Sequence, residues 1–122
     1  MPDLGEQFDA LRQRGWTLCC FGAGKDFTGL GALIERGSYT DVLVVRSPES
    51  ASAFGAMRVE NGSPFLPDFV CWSLHGQAES IMIAALNIPD ESKARPVFVR
   101  DKLCAIPASW PEPHILKPED PI

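Results

Sequence analysis

Four cysteines and two histidines are the residues best equipped for chemistry in this chain, and the densest stretch is LCCFGAGKDFTG at residues 18–29. It sets two adjacent thiols before a glycine-rich GAGK. A phosphate-binding loop requires G-x-x-x-x-G-K followed by Ser or Thr. Aligned on Gly24 and Lys25, Cys19 stands in place of the first glycine and Asp26 in place of the magnesium-binding hydroxyl. A carboxylate beside the phosphates is electrostatically backward, so the phosphate loop is rejected. The dinucleotide fingerprint G-x-G-x-x-G keeps Gly22 and Gly24 but has Phe27 at its third glycine.

A redox couple needs two thiols that meet. Successive strand residues point to opposite faces, which separates Cys19 from Cys20. There is no C-x-x-C and no adjacent cation to lower a thiol pKa. Closed zinc sites show two tight ligand pairs. Cys71 and His75 are four apart and would share a face only on a helix, while Cys104 and His114 are ten apart with prolines between them. No metal and no cofactor are assigned. One catalytic pair is left: Cys71 as nucleophile with His75 as base, oriented by Asp68 or Glu79. The preferred reading makes Cys71 a core residue and His75 an exposed helix-entry residue, so no catalytic residue is assigned.

The bulk properties narrow the function classes. With 122 residues, 45% of them hydrophobic and 22% charged, the chain has ordinary globular composition and the length of one domain. Its eleven basic residues are scattered under a net charge of −5. Phosphate-backbone binding draws on clustered Lys and Arg, so nucleic acid is not expected as a partner. The N-terminus MPDLGEQFD has neither the basic nor the apolar region of a secretory signal. The longest aliphatic run, residues 81–86, is far short of the roughly twenty residues of a membrane span. A soluble, cytoplasmic protein with reduced thiols is expected, with no membrane partner.

The elements that must position these residues follow from periodicity. Leu4, Phe8 and Leu11 recur at helical spacing over residues 3–14, with Asp3 and Glu6 forming a capping-box pattern and Gly15 suited to terminate the helix. Strands are expected over 16–22, 39–46, 51–59 and 68–74, and the SPES turn makes 40–59 a hairpin. Residues 29–36 are read as a further strand, with Leu30, Ala32 and Ile34 on one face. Gly76 is expected to break the strand before it. Ala78, Ile81, Met82 and Ala85 give residues 77–87 a helical apolar stripe, and residues 97–100 read as a short final strand or extended segment. Five of the eleven prolines fall in the last sixteen residues, so that tail is expected to be extended.

The predicted fold is α+β: a mainly antiparallel twisted sheet of about five strands, with an N-terminal helix and a second helix after the fifth strand. The alternative is a small α/β fold with one βαβ unit at 16–45. Residues 1–104 are read as one domain and 105–122 as a Pro-rich extended tail. The expected function is a non-enzymatic interaction module (adaptor, regulator, inhibitor or immunity-type protein) that binds another protein or self-associates. Trp72, Trp110, Ile115 and Leu116 are its candidate binding residues. The preferred placement of Trp110, Ile115 and Leu116 is folded back over their own domain, with a free partner-binding tail as the alternative. Two other functional readings stand beside this one. The first is a small-molecule-binding domain with an apolar pocket between sheet and helix among Phe54, Met57, Phe69, Trp72 and Met82. The second is a thiol-dependent enzyme using Cys71.

Overall fold

The computed structural model describes residues 4–22, 28–57, 64–67, 69–87, 103–106, 109–111 and 113–115. Its elements run α1 (Leu4–Gln13), β1 (Thr17–Phe21), β2 (Gly29–Arg36), β3 (Tyr39–Ser47), β4 (Ser50–Met57), β5 (Trp72–Gly76), α2 (Ala78–Leu86) and β6 (Pro113–Ile115). The sheet order is β5-β4-β3-β2-β1-β6 and all its pairings are antiparallel. Five consecutive strands thus form a meander, and the three-residue β6 is added beside β1. This is the expected α+β sheet with its two helices.

α1 stops where the glycine pattern requires. Gly15 has φ +96°, a conformation that L side chains rarely adopt. Its N–H donates to the Arg12 carbonyl at 3.0 Å, and the Trp16 N–H reaches back to Leu11 at 3.1 Å. These two bonds satisfy carbonyls that the helix end would otherwise leave open, and Trp16 and Leu11 are buried in the same cluster. Asp3, the predicted cap, lies outside the described residues.

The βαβ alternative is overturned by β2. Residues 29–36 pair antiparallel with β1 (Cys19↔Gly31) and with β3 (Gly31↔Val44). The glycines that weaken a helical reading serve close packing here. A Cβ at Gly31 would lie 2.9 Å from Phe65 and 3.0 Å from Phe21, so only glycine lets those rings approach the sheet. The predicted hairpin is present as β3 and β4. Its two-residue turn, Pro48-Glu49, is flanked by Ser47↔Ser50, and the register shifts between Val45 and Ser47. That shift makes Arg46 an extra residue on β3, a β-bulge.

β5 starts and ends later than residues 68–74. Phe69 and Val70 lie ahead of the strand, Cys71 sits at a bend with its N–H bonded to the Gly55 carbonyl at 2.8 Å, and the strand continues through Gly76. Gly76 is no breaker because its φ is not positive, and α2 begins only after Gln77. The buried residues of α2 are Ala78, Ile81, Met82 and Ala85, the predicted stripe. The strand expected at 97–100 lies outside the described residues.

Both faces of the sheet are covered, which explains why its strands read as nearly continuous apolar runs. On the first face Leu18, Ala32, Leu43, Val45, Ala51 and Ala53 pack under Phe8, Leu11 and Trp16 and under the α2 stripe. On the second, Cys19, Phe21, Val42, Val44, Phe54 and Ala56 pack against Phe65, Val70, Cys104 and Ile106. Phe21 meets Phe65 edge-on, with ring centroids 5.0 Å apart at 87°. Among the described residues, no helix is long and apolar enough to cross a membrane.

Candidate functional site

The strand period does not bring Cys71 and His75 together. Cys71 precedes β5 and donates its Sγ hydrogen to the Gly55 carbonyl at 3.2 Å. His75 lies three residues beyond Trp72, about 10 Å further along the strand, opposite Ser52. Of the two proposed orienting groups, Asp68 lies outside the described residues and Glu79 sits in the first turn of α2.

What the register assembles instead is Arg46, Ser52 and His75, from three neighbouring strands. Ser52 pairs with Val44 of β3 on one side and with His75 of β5 on the other. All three face the second side of the sheet, beyond the buried Val44 and Phe54. Arg46 Nη1 donates to Ser52 Oγ at 2.9 Å, and Ser52 Oγ lies 2.7 Å from His75 Nδ1. Arg46 Nη2 donates to the Leu103 carbonyl, and Ser52 Oγ is 3.4 Å from the same oxygen. The bulge allows this, because the extra residue re-aims the guanidinium across the end of the sheet. Burial pulls the Arg46 pKa below its ordinary value, and the neighbouring Cys104 thiol opposes that shift. These side chains open on a cleft of about 580 Å³ that is also lined by Glu49, Ala51, Gly76, Leu103, Ala105 and Ile106.

A second polar group lies on the first face. Asp41 is completely buried; its Oδ2 accepts from Arg36 Nε at 2.8 Å and its Oδ1 from the Trp72 indole N–H at 3.2 Å. The predicted binding residue Trp72 is therefore held in place at the start of β5. Trp110 is half-buried, with its rings 5.0 Å from Phe21. Ile115 is exposed on β6, opposite Cys19. Trp72 and Ile115 thus sit on the two outermost strands, five strand spacings or roughly 24 Å apart, and do not share one surface. Leu116 lies outside the described residues.

The thiols are placed for packing. Burial, followed by the neighbouring Cys20, pushes Cys19 up to about 12 from its ordinary 9.0, so it carries no thiolate at neutral pH. The residues proposed to line an apolar pocket are dispersed: Phe54 lies in the second-face core, Met82 in the first, and Met57 and Phe69 are exposed. Among the described residues, no group of three or more His, Cys, Asp or Glu could hold a metal ion.

The flank built on β5 has two surfaces. Trp72 and Leu74 point to the helix side, opposite Gly55 and Ala53, and Met57 ends the same face of β4. Leu74 is 46% exposed and Met57 59%. Ser73 and His75 point to the cleft side. Among the described residues β5 has one neighbouring strand, β4. Comparison with protein-family models, curated proteins and solved structures finds no match to this chain.

Proposed function

We propose that this chain is a non-enzymatic, cytoplasmic interaction module that binds an extended segment of another protein along the outer edge of β5. The observation that carries this reading is the state of that strand: among the described residues it ends the sheet, and Leu74, His75 and Gly76 are all exposed. An edge strand presents a row of N–H and C=O groups ready to pair with another chain. A peptide added there gains main-chain hydrogen bonds, and its alternate side chains are read by pockets on the two faces. On the helix side it would meet Leu74 and the Trp72 ring. Trp72 is already oriented by Asp41, so little side-chain freedom is lost on binding. Four free cysteines, three of them buried, support a reducing compartment.

The test is selection of linear peptides from a displayed library against the folded protein, with each recovered peptide measured on the Leu74→Lys variant. Lysine on an edge strand discourages pairing, and Leu74 is exposed enough for the change to leave folding intact. Alternating apolar peptides that lose at least roughly tenfold in affinity on L74K, about 1.4 kcal/mol, are expected. Recovery of no binders, or of binders indifferent to L74K, would overturn the reading.

A further inference from the structure

We propose that Trp110 and β6 form a detachable arm, and that the site they fill on β1 also accepts the same segment of a second copy of this chain. The site lies at the other end of the sheet from β5 and goes beyond the edge-strand reading.

Little of β6 holds it in place. It pairs with β1 through three residues, Pro113 to Ile115. Pro113 has no N–H to bring to that ladder. Ile115 is 66% exposed, so its side chain adds little burial. Although β1 runs from Thr17 to Phe21, β6 lies opposite Cys19 to Phe21 alone. An edge element held this way opens with a free energy well below that of the whole domain.

Trp110 supplies the anchor. Its ring is tilted at 53° against Phe21, with centroids 5.0 Å apart, and Phe21 is completely buried. The indole fits over Gly29, where a Cβ would stand 2.5 Å from the ring. The missing side chain at Gly29 thus shapes a seat for one large aromatic residue. An extended peptide docks on a separate domain in the same manner, by adding a strand to a sheet edge and setting an aromatic anchor beside it. Here peptide and domain belong to one chain.

The junction between the two is short. Ile106 belongs to the body: it is buried in the second-face core, and its N–H donates to the Phe65 carbonyl at 3.1 Å. Trp110 follows four residues later, so release of the arm ends at Ile106 and leaves that bond in place. A second copy offers the same anchor and the same strand in the same order. Exchange of an identical element between two copies remakes the contacts each copy loses. The tether favours the closed monomer, because a short linker holds the arm at an effective concentration of roughly millimolar. Exchange therefore shows itself when the chain's own arm is weakened.

The experiment uses a fluorescein-labelled synthetic peptide of residues 107–117 and its Trp110→Ala analogue. Each is titrated with full-length wild type and with the full-length Trp110→Ala variant, whose folding is checked by far-UV circular dichroism, and binding is read by fluorescence anisotropy. The Trp peptide should bind W110A at least roughly tenfold tighter than wild type, because that chain's own arm has lost its anchor. The Ala analogue should bind W110A at least roughly tenfold more weakly than the Trp peptide. Hydrogen exchange of the wild-type chain needs no variant: amides bonded between β1 and β6 should exchange at least roughly 100-fold faster than those between β2 and β3. Four results would each overturn the proposal: no saturable binding to folded W110A; equal affinity of the Trp peptide for the two chains; an Ala analogue as tight as the Trp peptide; or β1–β6 amides that exchange only as fast as the β2–β3 ladder.

Discussion

Replacing Arg36 by Met isolates the energetics of the buried ion pair. Asp41 is completely buried on the first face of the sheet, and the Arg36 side chain is only 8% exposed. The pair spans the β2–β3 hairpin, where Asp41 lies opposite Ile34, two residues before Arg36. R36M keeps most of the apolar stem but takes away the cationic partner 2.8 Å from Oδ2. The carboxylate then stays in a low-dielectric position without its counter-charge. Breaking a buried pair in this way costs about 3–5 kcal/mol. That is a large part of the roughly 5–15 kcal/mol that stabilises a typical domain. For a chain of this length it corresponds to a fall in Tm of roughly 12–20 °C. Removing both charges in R36M/D41L should recover most of the loss, because a buried pair is close to neutral against apolar replacements. Urea unfolding of the single and double variants, followed by far-UV circular dichroism and tryptophan fluorescence, measures the cycle. Loss of the Trp72 bond to Asp41 should also shift the fluorescence of D41L before any unfolding. An R36M cost below about 1 kcal/mol, or a double variant no more stable than R36M, would refute the claim that the pair is desolvated and coupled.

Three further outcomes follow from the packing and the thiols. A Cβ at Gly29 would stand 2.5 Å from the Trp110 ring and 2.8 Å from the Val45 carbonyl oxygen, so Gly29→Ala should displace the indole and cost about 1–3 kcal/mol, read by near-UV circular dichroism and denaturant midpoint. Phe65→Ala empties a fully enclosed ring position against Phe21 and should cost about 3–5 kcal/mol in the same unfolding assay. Cys19 makes stability fall at alkaline pH: the unfolded thiol ionises from 9.0 while the folded one holds its proton to about 12, so its contribution is intact below 9.0 and is lost as pH rises toward 12. The slope in that window is about 1.4 kcal/mol per pH unit and should be missing from Cys19→Ala; parallel slopes for the two proteins would count against a buried protonated thiol.

How far the sequence reveals this molecule depends on whether the deciding contacts are local. The end of α1 was legible because Leu11, Arg12, Gly15 and Trp16 are neighbours in sequence, and their bonds close within one turn. The α2 stripe and the hairpin around Pro48 were legible for the same reason. Gly29 and Gly31 were harder. Their cost to a helix is local, but the rings of Phe65 and Trp110 that require them come from distant segments. The start of β5 was misplaced because the apolar run 68–74 does not record the bend at Cys71. The Arg46, Ser52 and His75 group was not visible at all. It depends on cross-strand register and on a bulge between Val45 and Ser47, and neither leaves a periodic trace. The SPES turn was the one available hint, since a two-residue connection places the residues before it beside those after it. Asp41 was not singled out within the strand at 39–46, because its partners Arg36 and Trp72 are set by cross-strand register.

The pairing of β6 with β1 also sets the order in which the molecule can be completed as it is made. Cys19 lies opposite Ile115, so the outer edge of β1 waits for ninety-six further residues before it is covered. At ordinary ribosomal speeds of about 5–20 residues per second, that interval lasts roughly 5–20 s. The meander β1 to β5 can form during this time, yet its β1 side stays open to neighbouring nascent chains. Trp110 packs tilted against the Phe21 ring three residues ahead of β6, so the same short segment covers both the ring and the strand edge. Truncation ahead of Trp110 should therefore register first as clumping during synthesis, and only second as lost stability in the purified protein.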